Sequence, residues 1–468
     1  MSTHATLESA TPRLLFTAPW EPVVVRRGDA LGLRAFADHL ADAVAPGMSN
    51  RVNDGRWITI LSWCLARSHE VFHATGARSV ASRREQQRRY AWLRPLELMW
   101  VARTIALADN WGERSLAGRR RVRPWLQENE MQTDRFGMST DQFRAYRQTG
   151  MYGGYRIAFR KWARMTLGGD GWTPGSGTTE LARWLDGRLG PSRPPWPLNE
   201  ADEHKDSPLL RRAPRLDLGD EHKWWLRHWI DFREPASKGQ DERTLPRPRG
   251  EYEALPEREH IEAVAFAADA GGTRRRAVAG QVLKASAGDH AEVCEHLARA
   301  FTEVPAIRLL PFFTRLADAG VDAMNSIAAE LHGERDRLLT DISQARSVRD
   351  AMDRLSQEAD RWRQARIEDV PHVHTVARFA ETVRAASTTD RVRVLLEYHE
   401  LHGGGLRWFV VRDHRVEPRM RPRAGSARYR FRLWALCRLA VQSGVLRRMP
   451  RSILDDASAG GDGEDVDD

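Results

Sequence analysis

The sequence predicts a mainly α-helical protein, and three observations support this fold class. Apolar residues recur at steps of three and four along most of the chain, which is the spacing of one helix face. Proline or glycine follows several of these segments, as is typical of helix ends. The alternation of apolar and polar residues that is typical of strands is confined to a short stretch near the C-terminus.

The first part of the chain, residues 1–190, is predicted to be a multi-helical domain. With 468 residues, 41% of them hydrophobic and 29% charged, the whole chain is expected to form roughly two to four globular domains. Residues 54–74 are apolar on most sides over their first half, which predicts a buried central helix. Gly153-Gly154 is expected to break residues 140–165 into two helices. Further helices are predicted at 29–45, 91–108 and 178–190.

The composition changes at residues 191–255, which are rich in proline and charge and are predicted to be a linker region with a Trp-rich helix at 220–233. A helical array is predicted at 256–386. Its segment 347–367 carries an apolar stripe that is expected to be core, with a partner seam as the alternative. The stripe consists of Val348, Met352, Leu355, Ala359 and Trp362. Residues 453–468 are expected to form a disordered acidic tail.

Residues 387–452 are predicted to form a basic helix–β-hairpin–helix module. Two apolar-rich runs flank the segment 412–415 after a triple glycine, which predicts the hairpin. Helices are expected at 390–402 and 427–444, and Gly444 is expected to cap the second helix. This order of elements is compatible with a winged-helix-like module.

The sequence also indicates a cytoplasmic protein. Cys64, Cys294 and Cys437 are scattered through apolar, helix-like segments, which is typical of reduced core thiols. There is no apolar run long enough to span a bilayer and no secretory signal pattern, so neither membrane association nor secretion is expected.

Several segments contain histidine or glycine in patterns that could indicate a metal-binding, catalytic or phosphate-binding site. The tetrapeptide DEHK occurs twice, but His222 and His228 would be roughly 120° apart around a helix and would not bind one ion together. His372 and His374 stand at the start of a predicted helix, and we do not assign them as metal ligands. The glycine-rich residues 168–178 lack the Lys-Ser/Thr pair of a phosphate loop and are expected to form a turn-rich surface loop. We therefore assign no catalytic residue, metal ligand or cofactor.

The first of two basic regions is residues 78–164, and within it basic and aromatic residues are interleaved at 143–164. Residues 78–164 contain nineteen basic and eight acidic residues. Basic groups neutralise phosphates, and aromatic rings can stack on bases at ~1–3 kcal/mol each. The alternative is a solvated basic face behind an aromatic core. The candidate nucleic-acid contacts are Arg119, Arg120, Arg121, Arg123, Arg144, Arg147, Tyr152, Tyr155, Arg156, Arg160, Lys161 and Arg164.

The second basic region is the C-terminal module. Residues 407–451 contain thirteen arginines and two acidic residues. Arginines at the hairpin tip would project where a wing meets a nucleic-acid backbone. Alternatively, they solubilise the hairpin, or pair with an acidic partner or with the acidic tail, whose seven carboxylates would compete with nucleic acid. The candidate contacts are Arg407, Arg412, Arg415, Arg419, Arg421 and Arg423.

Two stretches resemble uncharacterised bacterial proteins encoded beside restriction-modification and phage-defence genes. They are APGMSNRVNDGRWITILSWCL at 45–65 and YRFRLWALCRLAVQSGVL at 429–446. Together they cover under a tenth of the chain, and neither is a catalytic motif. The resemblance implies a defence or DNA-processing context and assigns no functional residue.

The leading prediction is a non-enzymatic nucleic-acid-binding subunit of a bacterial phage-defence or DNA-processing complex. Its expected partners are nucleic acid, with DNA favoured, and other protein subunits. One alternative is a metal-dependent nuclease, which two or more carboxylates within ~4–6 Å in a basic cleft would indicate. The other is a helical protein-interaction adaptor, which an even surface potential would indicate.

Overall fold

The computed structural model describes residues 23–25, 29–74, 150–189, 253–285, 289–365, 370–387, 390–403, 407–422 and 428–453, and single residues between 89 and 124. These residues are mainly helical with a small three-stranded sheet near the C-terminus, which confirms the predicted fold class. The predicted Trp-rich helix, most of the helix at 91–108 and nearly all of the acidic tail lie outside the described residues.

The described N-terminal part contains the helices α1 (Arg34–Val44), α2 (Gly55–Ala74), α3 (Met151–Lys161) and α4 (Ser176–Leu189). The first half of α2 is almost entirely buried, as its apolar composition predicts, and α2 packs against α4. Trp63 Nε1 on α2 donates a hydrogen bond of 2.7 Å to Asp186 on α4, and Arg67 forms an ion pair with the same carboxylate. This buried polar contact fixes how the two helices pack.

The glycines of α3 do not interrupt it. The helix runs through Gly153 and Gly154, so the predicted break into two helices at this point is wrong. Gly154 instead allows Arg51 to pack closely against the helix, because a Cβ there would lie 2.8 Å from Arg51 Cδ and 3.1 Å from Arg51 Cβ. Ser49 Oγ donates a hydrogen bond of 3.1 Å to the Gly154 carbonyl, so the loop before α2 lies directly on α3.

The C-terminal part is mainly helical, as the predicted fold class requires. Its helices are α5 (Arg258–Ala265), α6 (Ala270–Lys284), α7 (His290–Ala300), α8 (Pro305–Arg308), α9 (Leu310–Glu330), α10 (Leu339–Gln344), α11 (Arg346–Gln364), α12 (Val373–Ala385), α13 (Arg391–His402) and α14 (Leu433–Gln442). Helices α9 and α11 pack along each other. The apolar stripe of α11, from Val348 to Trp362, is buried, which confirms that it is core.

The strands are β1 (Val23–Val25), β2 (Arg337–Leu338), β3 (Phe409–Arg412), β4 (Arg415–Pro418) and β5 (Met420–Pro422). The predicted hairpin is β3–β4. Asp413 and His414 join its strands with φ of 48° and 59°, the left-handed conformation that suits a two-residue hairpin turn. Strand β2 pairs antiparallel with the other edge of β4. Strand β1 pairs parallel with β5, a pairing that the sequence analysis did not predict.

The last helix is shorter than predicted. It begins at Leu433 rather than at residue 427, because Phe431 and Arg432 have φ of 49° and 62° and lie outside the helical conformation. Residues 428–432 cross the neighbouring helices as an irregular segment, which we call the strap. Gly444, with φ of 79°, follows the end of α14 and has the predicted capping role.

The N-terminal and C-terminal parts share one hydrophobic core. The fully buried His399 of α13 connects them: its Nδ1 donates a hydrogen bond of 2.7 Å to the Ala30 carbonyl, and its Nε2 accepts one of 2.8 Å from the Trp408 amide. Burial lowers the pKa of His399, which is consistent with a neutral ring. The domain boundaries predicted within 191–255 fall almost wholly outside the described residues and stay predictions.

Candidate nucleic-acid interface

The two candidate tyrosines of α3 belong to the core. Tyr152 is 1% exposed and Tyr155 0% exposed, so neither ring is available to stack on a base, and their assignment as nucleic-acid contacts is corrected. The Tyr152 hydroxyl donates to the Gly171 carbonyl, and the Tyr155 hydroxyl accepts a hydrogen bond of 3.1 Å from the Asp54 amide. Tyr152 and Tyr155 are three positions apart, and Tyr155 is four positions before Phe159. The three side chains therefore lie on the helix face that is turned toward the core.

The basic residues of α3 lie on its outer face. The Arg156 guanidinium stacks over Trp172 at 5.1 Å, and Arg164 pairs with Glu180. Arg160 and Lys161 are exposed, and within the described ranges neither has a carboxylate at ion-pair distance. The remaining candidates of this region are outside the described residues: Arg119, Arg120, Arg121, Arg123, Arg144 and Arg147.

The glycine-rich residues beside α3 form turns, as predicted, but Gly171, Trp172 and Gly175 are buried and 176–178 begin α4, so the prediction of a surface loop over 168–178 is only partly right. Several of the loop's amides form hydrogen bonds within it. The Gly171 amide donates to Thr166 Oγ1 at 3.1 Å. Asp170 Oδ1 accepts from the amides of Trp172 and Thr173 at 2.6 and 2.9 Å. A phosphate loop presents free amides to its ligand, whereas these amides are bonded within the loop. The loop therefore supplies no phosphate cradle at these positions.

Three of the four hairpin arginines with described side chains form ion pairs with nearby carboxylates. Arg407 pairs with Glu400 at 3.0 Å, Arg415 pairs with Asp336, and Arg419 pairs with Glu417 at 2.7 Å. Arg412 is exposed and has no such partner among the described residues. The side chains of Arg421 and Arg423 lie outside the described part. Of the two arginines at the hairpin tip, Arg415 is therefore paired and Arg412 is not.

The arginines of the strap hold helices together. Arg428 pairs with Asp322 of α9 at 2.8 Å, and Arg432 pairs with Asp42 of α1. Tyr429 between them donates a hydrogen bond of 2.8 Å to Asp29. Each of these contacts joins the strap to residues more than 100 positions earlier in the chain, so sequence spacing gave no sign of them.

A buried polar network joins the two stretches that carry the resemblance. Asp54, before α2, lies 3.4 Å from Arg438 of α14. Gln442 Oε1 accepts a hydrogen bond of 2.7 Å from the Gly55 amide. Arg56 pairs at 2.5 Å with Glu257, which precedes α5. The charged residues of these stretches therefore maintain the packing of three helix ends.

Three arginines that the sequence analysis did not select are exposed after α14. Arg447, Arg448 and Arg451 have no carboxylate at ion-pair distance in the part of the chain that the structure describes. The sequence does not distinguish among the thirteen arginines of 407–451. The tertiary structure does, because it shows which of them pair with a carboxylate. Those that form ion pairs with described carboxylates are Arg407, Arg415, Arg419, Arg428, Arg432 and Arg438.

Among the described residues, no three or more His, Cys, Asp or Glu side chains are grouped so that they would hold a metal ion. The rings of His372 and His374 are 6.5 Å apart at the start of α12. Cys64, Cys294 and Cys437 are buried free thiols. His222 and His228 lie outside the described residues. No helix in the described ranges combines the length and apolar character that a bilayer crossing requires.

No protein-family model matches the chain, and comparisons with curated proteins and with solved structures likewise gave no match.

Proposed function

We propose that this chain binds nucleic acid through phosphate contacts, as a non-catalytic subunit of a DNA-processing or phage-defence assembly. The observation that carries the proposal is the set of exposed basic side chains that remain after the described ion pairs are assigned. Such side chains are free to replace the counterions of a polyanion, whereas paired ones must first give up a carboxylate. They include Arg160, Lys161, Arg412, Arg447, Arg448 and Arg451.

The net charge of the chain supports the same conclusion. Its formal charge is +9, which favours association with a polyanion over the whole surface. The setting in a defence or DNA-processing assembly follows from the sequence resemblance.

The experiment titrates the purified protein into a 5′-labelled 30-base-pair DNA duplex at 50 mM salt, with fluorescence anisotropy as the readout. The same mixtures are then incubated with Mg²⁺ or Mn²⁺ and analysed on a denaturing gel. We expect saturable binding and recovery of full-length strands. Absence of binding would contradict the proposal. Shortened strands that a chelator prevents would replace it with the nuclease alternative.

A further inference from the structure

The chain segment after α14 presents its arginines from a fixed backbone. Leu446 donates an amide hydrogen bond of 2.9 Å to the Ala440 carbonyl just after the left-handed turn at Gly444. Leu446, Met449 and Ile453 point into the core, and the arginines between them point outward. Three buried anchors within eight residues leave the backbone little freedom, so less entropy is lost when these arginines bind a ligand.

A fourth arginine reaches the same place from a distant part of the sequence. Arg258 is the first residue of α5, and a Cβ on Gly444 would lie 3.5 Å from its Cδ. The Leu255 amide donates a hydrogen bond of 2.8 Å to the Gln442 carbonyl, which holds this segment against the end of α14. We call Arg258, Arg447, Arg448 and Arg451 the C-terminal arginine patch.

The patch carries positive charge that the described part of the chain does not neutralise. All four side chains are exposed, and none has a described carboxylate at ion-pair distance. The hairpin arginines and the strap arginines show the opposite pattern, since most of them are paired. Uncompensated like charges along one short surface segment repel one another, and a bound polyanion relieves this repulsion.

The surroundings of the patch favour recognition of a backbone rather than of bases. The segment 444–451 contains no aromatic residue, and the nearby Trp434 is buried. Among the described residues, Phe312 is the one large aromatic side chain that is exposed, at 38%. Binding of single strands depends on stacking of bases on exposed rings, whereas a duplex presents a denser row of phosphates.

We infer that the C-terminal arginine patch binds double-stranded nucleic acid through its phosphates, without reading base sequence. This inference rests on the proposed function and specifies its site and the form of its ligand. Arginine is suited to this role because its planar fork can donate two hydrogen bonds to one phosphate.

The test compares the full-length wild-type chain with the triple variant R447E/R448E/R451E. Both are titrated by anisotropy against a DNA duplex, an RNA duplex of the same sequence and the single DNA strand. We expect the wild type to bind the duplexes more tightly than the single strand. The triple variant should bind duplexes at least about tenfold more weakly, and its log–log salt slope should decrease in magnitude by about 3.

The matched control is R349E/R354E/R363E on α11. These arginines are also exposed and have no described ion pair, and the control changes the net charge by the same amount. An equal loss of affinity in both triple variants would show an effect of net charge alone and overturn the assignment. Circular-dichroism melting of each variant excludes loss of fold as the cause.

If the wild type binds and R447E/R448E/R451E binds with unchanged affinity, the assignment of the patch as the binding site is overturned, but the proposed function stands. Absence of wild-type binding would overturn both. Tighter binding of the single strand than of the duplexes would contradict the inferred ligand.

The sequence analysis left open that the C-terminal arginines pair with the acidic tail, which has seven carboxylates within residues 455–468. The triple variant is therefore also compared in the full-length chain with these seven residues changed to Asn or Gln. We expect the same loss of affinity in that background. A loss that occurs only when the tail is acidic would overturn the inference and assign the arginines to the tail.

Discussion

Replacing Glu257 by alanine is expected to lower the free energy of unfolding by about 3–5 kcal/mol, because it removes a fully buried carboxylate from its pairing with a buried guanidinium. Arg56 and Glu257 meet at 2.5 Å with side chains that are 5% and 0% exposed. Burial raises the pKa of Glu257, and Arg56 opposes this effect. The pair joins the start of α2 to the segment that carries Arg258, so its loss also loosens the C-terminal arginine patch.

Glu262→Ala is the matched control for this prediction. Glu262 lies on α5, only five residues further along, and pairs with Arg276 at 2.8 Å, but these side chains are 39% and 44% exposed. Solvent screens such a pair, so we expect a loss below about 1 kcal/mol. Urea unfolding followed by circular dichroism measures both changes. Similar losses in the two variants would show that the Arg56–Glu257 pair contributes no more than a surface ion pair.

His290 is expected to make the stability of the fold sensitive to acid. Its ring stacks on Phe431 of the strap with centroids 5.6 Å apart. Burial, with the positive charges of Arg430 and Arg428, lowers the pKa of His290 to about 3. The unfolded state, with an ordinary histidine pKa of about 6.5, therefore takes up the proton first as the pH falls. His290 therefore makes its full contribution to the free energy of unfolding above pH ~6.5. Below this pH the contribution decreases by about 1.4 kcal/mol for each pH unit.

The measurement is the difference in unfolding free energy between the wild type and His290→Gln, at several pH values from 7.5 to 4.5. We expect this difference to shift against the wild type by about 2.3 kcal/mol between pH 6.5 and 4.5. The other titrating groups are present in both proteins, so their contributions cancel in this difference. The exposed His374→Gln is the control. Parallel pH profiles for wild type and His290→Gln would contradict the prediction.

Elements with a strong local signal were predictable from the sequence. The apolar composition of α2 predicted a buried helix, and the glycine after α14 predicted its end. The alternation around residues 412–415 predicted the hairpin. Each signal lies within about twenty residues of the element that it describes, and local propensity and burial pattern agree there.

The candidate site was less predictable because it depends on contacts between distant residues. Tyr155 was selected for its arginine neighbours, but it bonds to Asp54, about 100 positions earlier. Arg432 and Arg447 are both C-terminal arginines, yet only Arg432 forms an ion pair with a carboxylate on α1. No periodicity in one sequence reports which charge meets which across such separations. The proximity of Arg258 to the end of α14 is a further case of this kind.

The most direct test of phosphate-mediated binding is the salt dependence of wild-type affinity for a DNA duplex between 50 and 300 mM NaCl. If each arginine of the C-terminal patch neutralises one phosphate, the plot of log K against log salt should be linear with a slope of about −3.6 or steeper. Replacement of the duplex sequence should leave both affinity and slope unchanged. A slope near zero, or no binding at the lowest salt, would contradict the account.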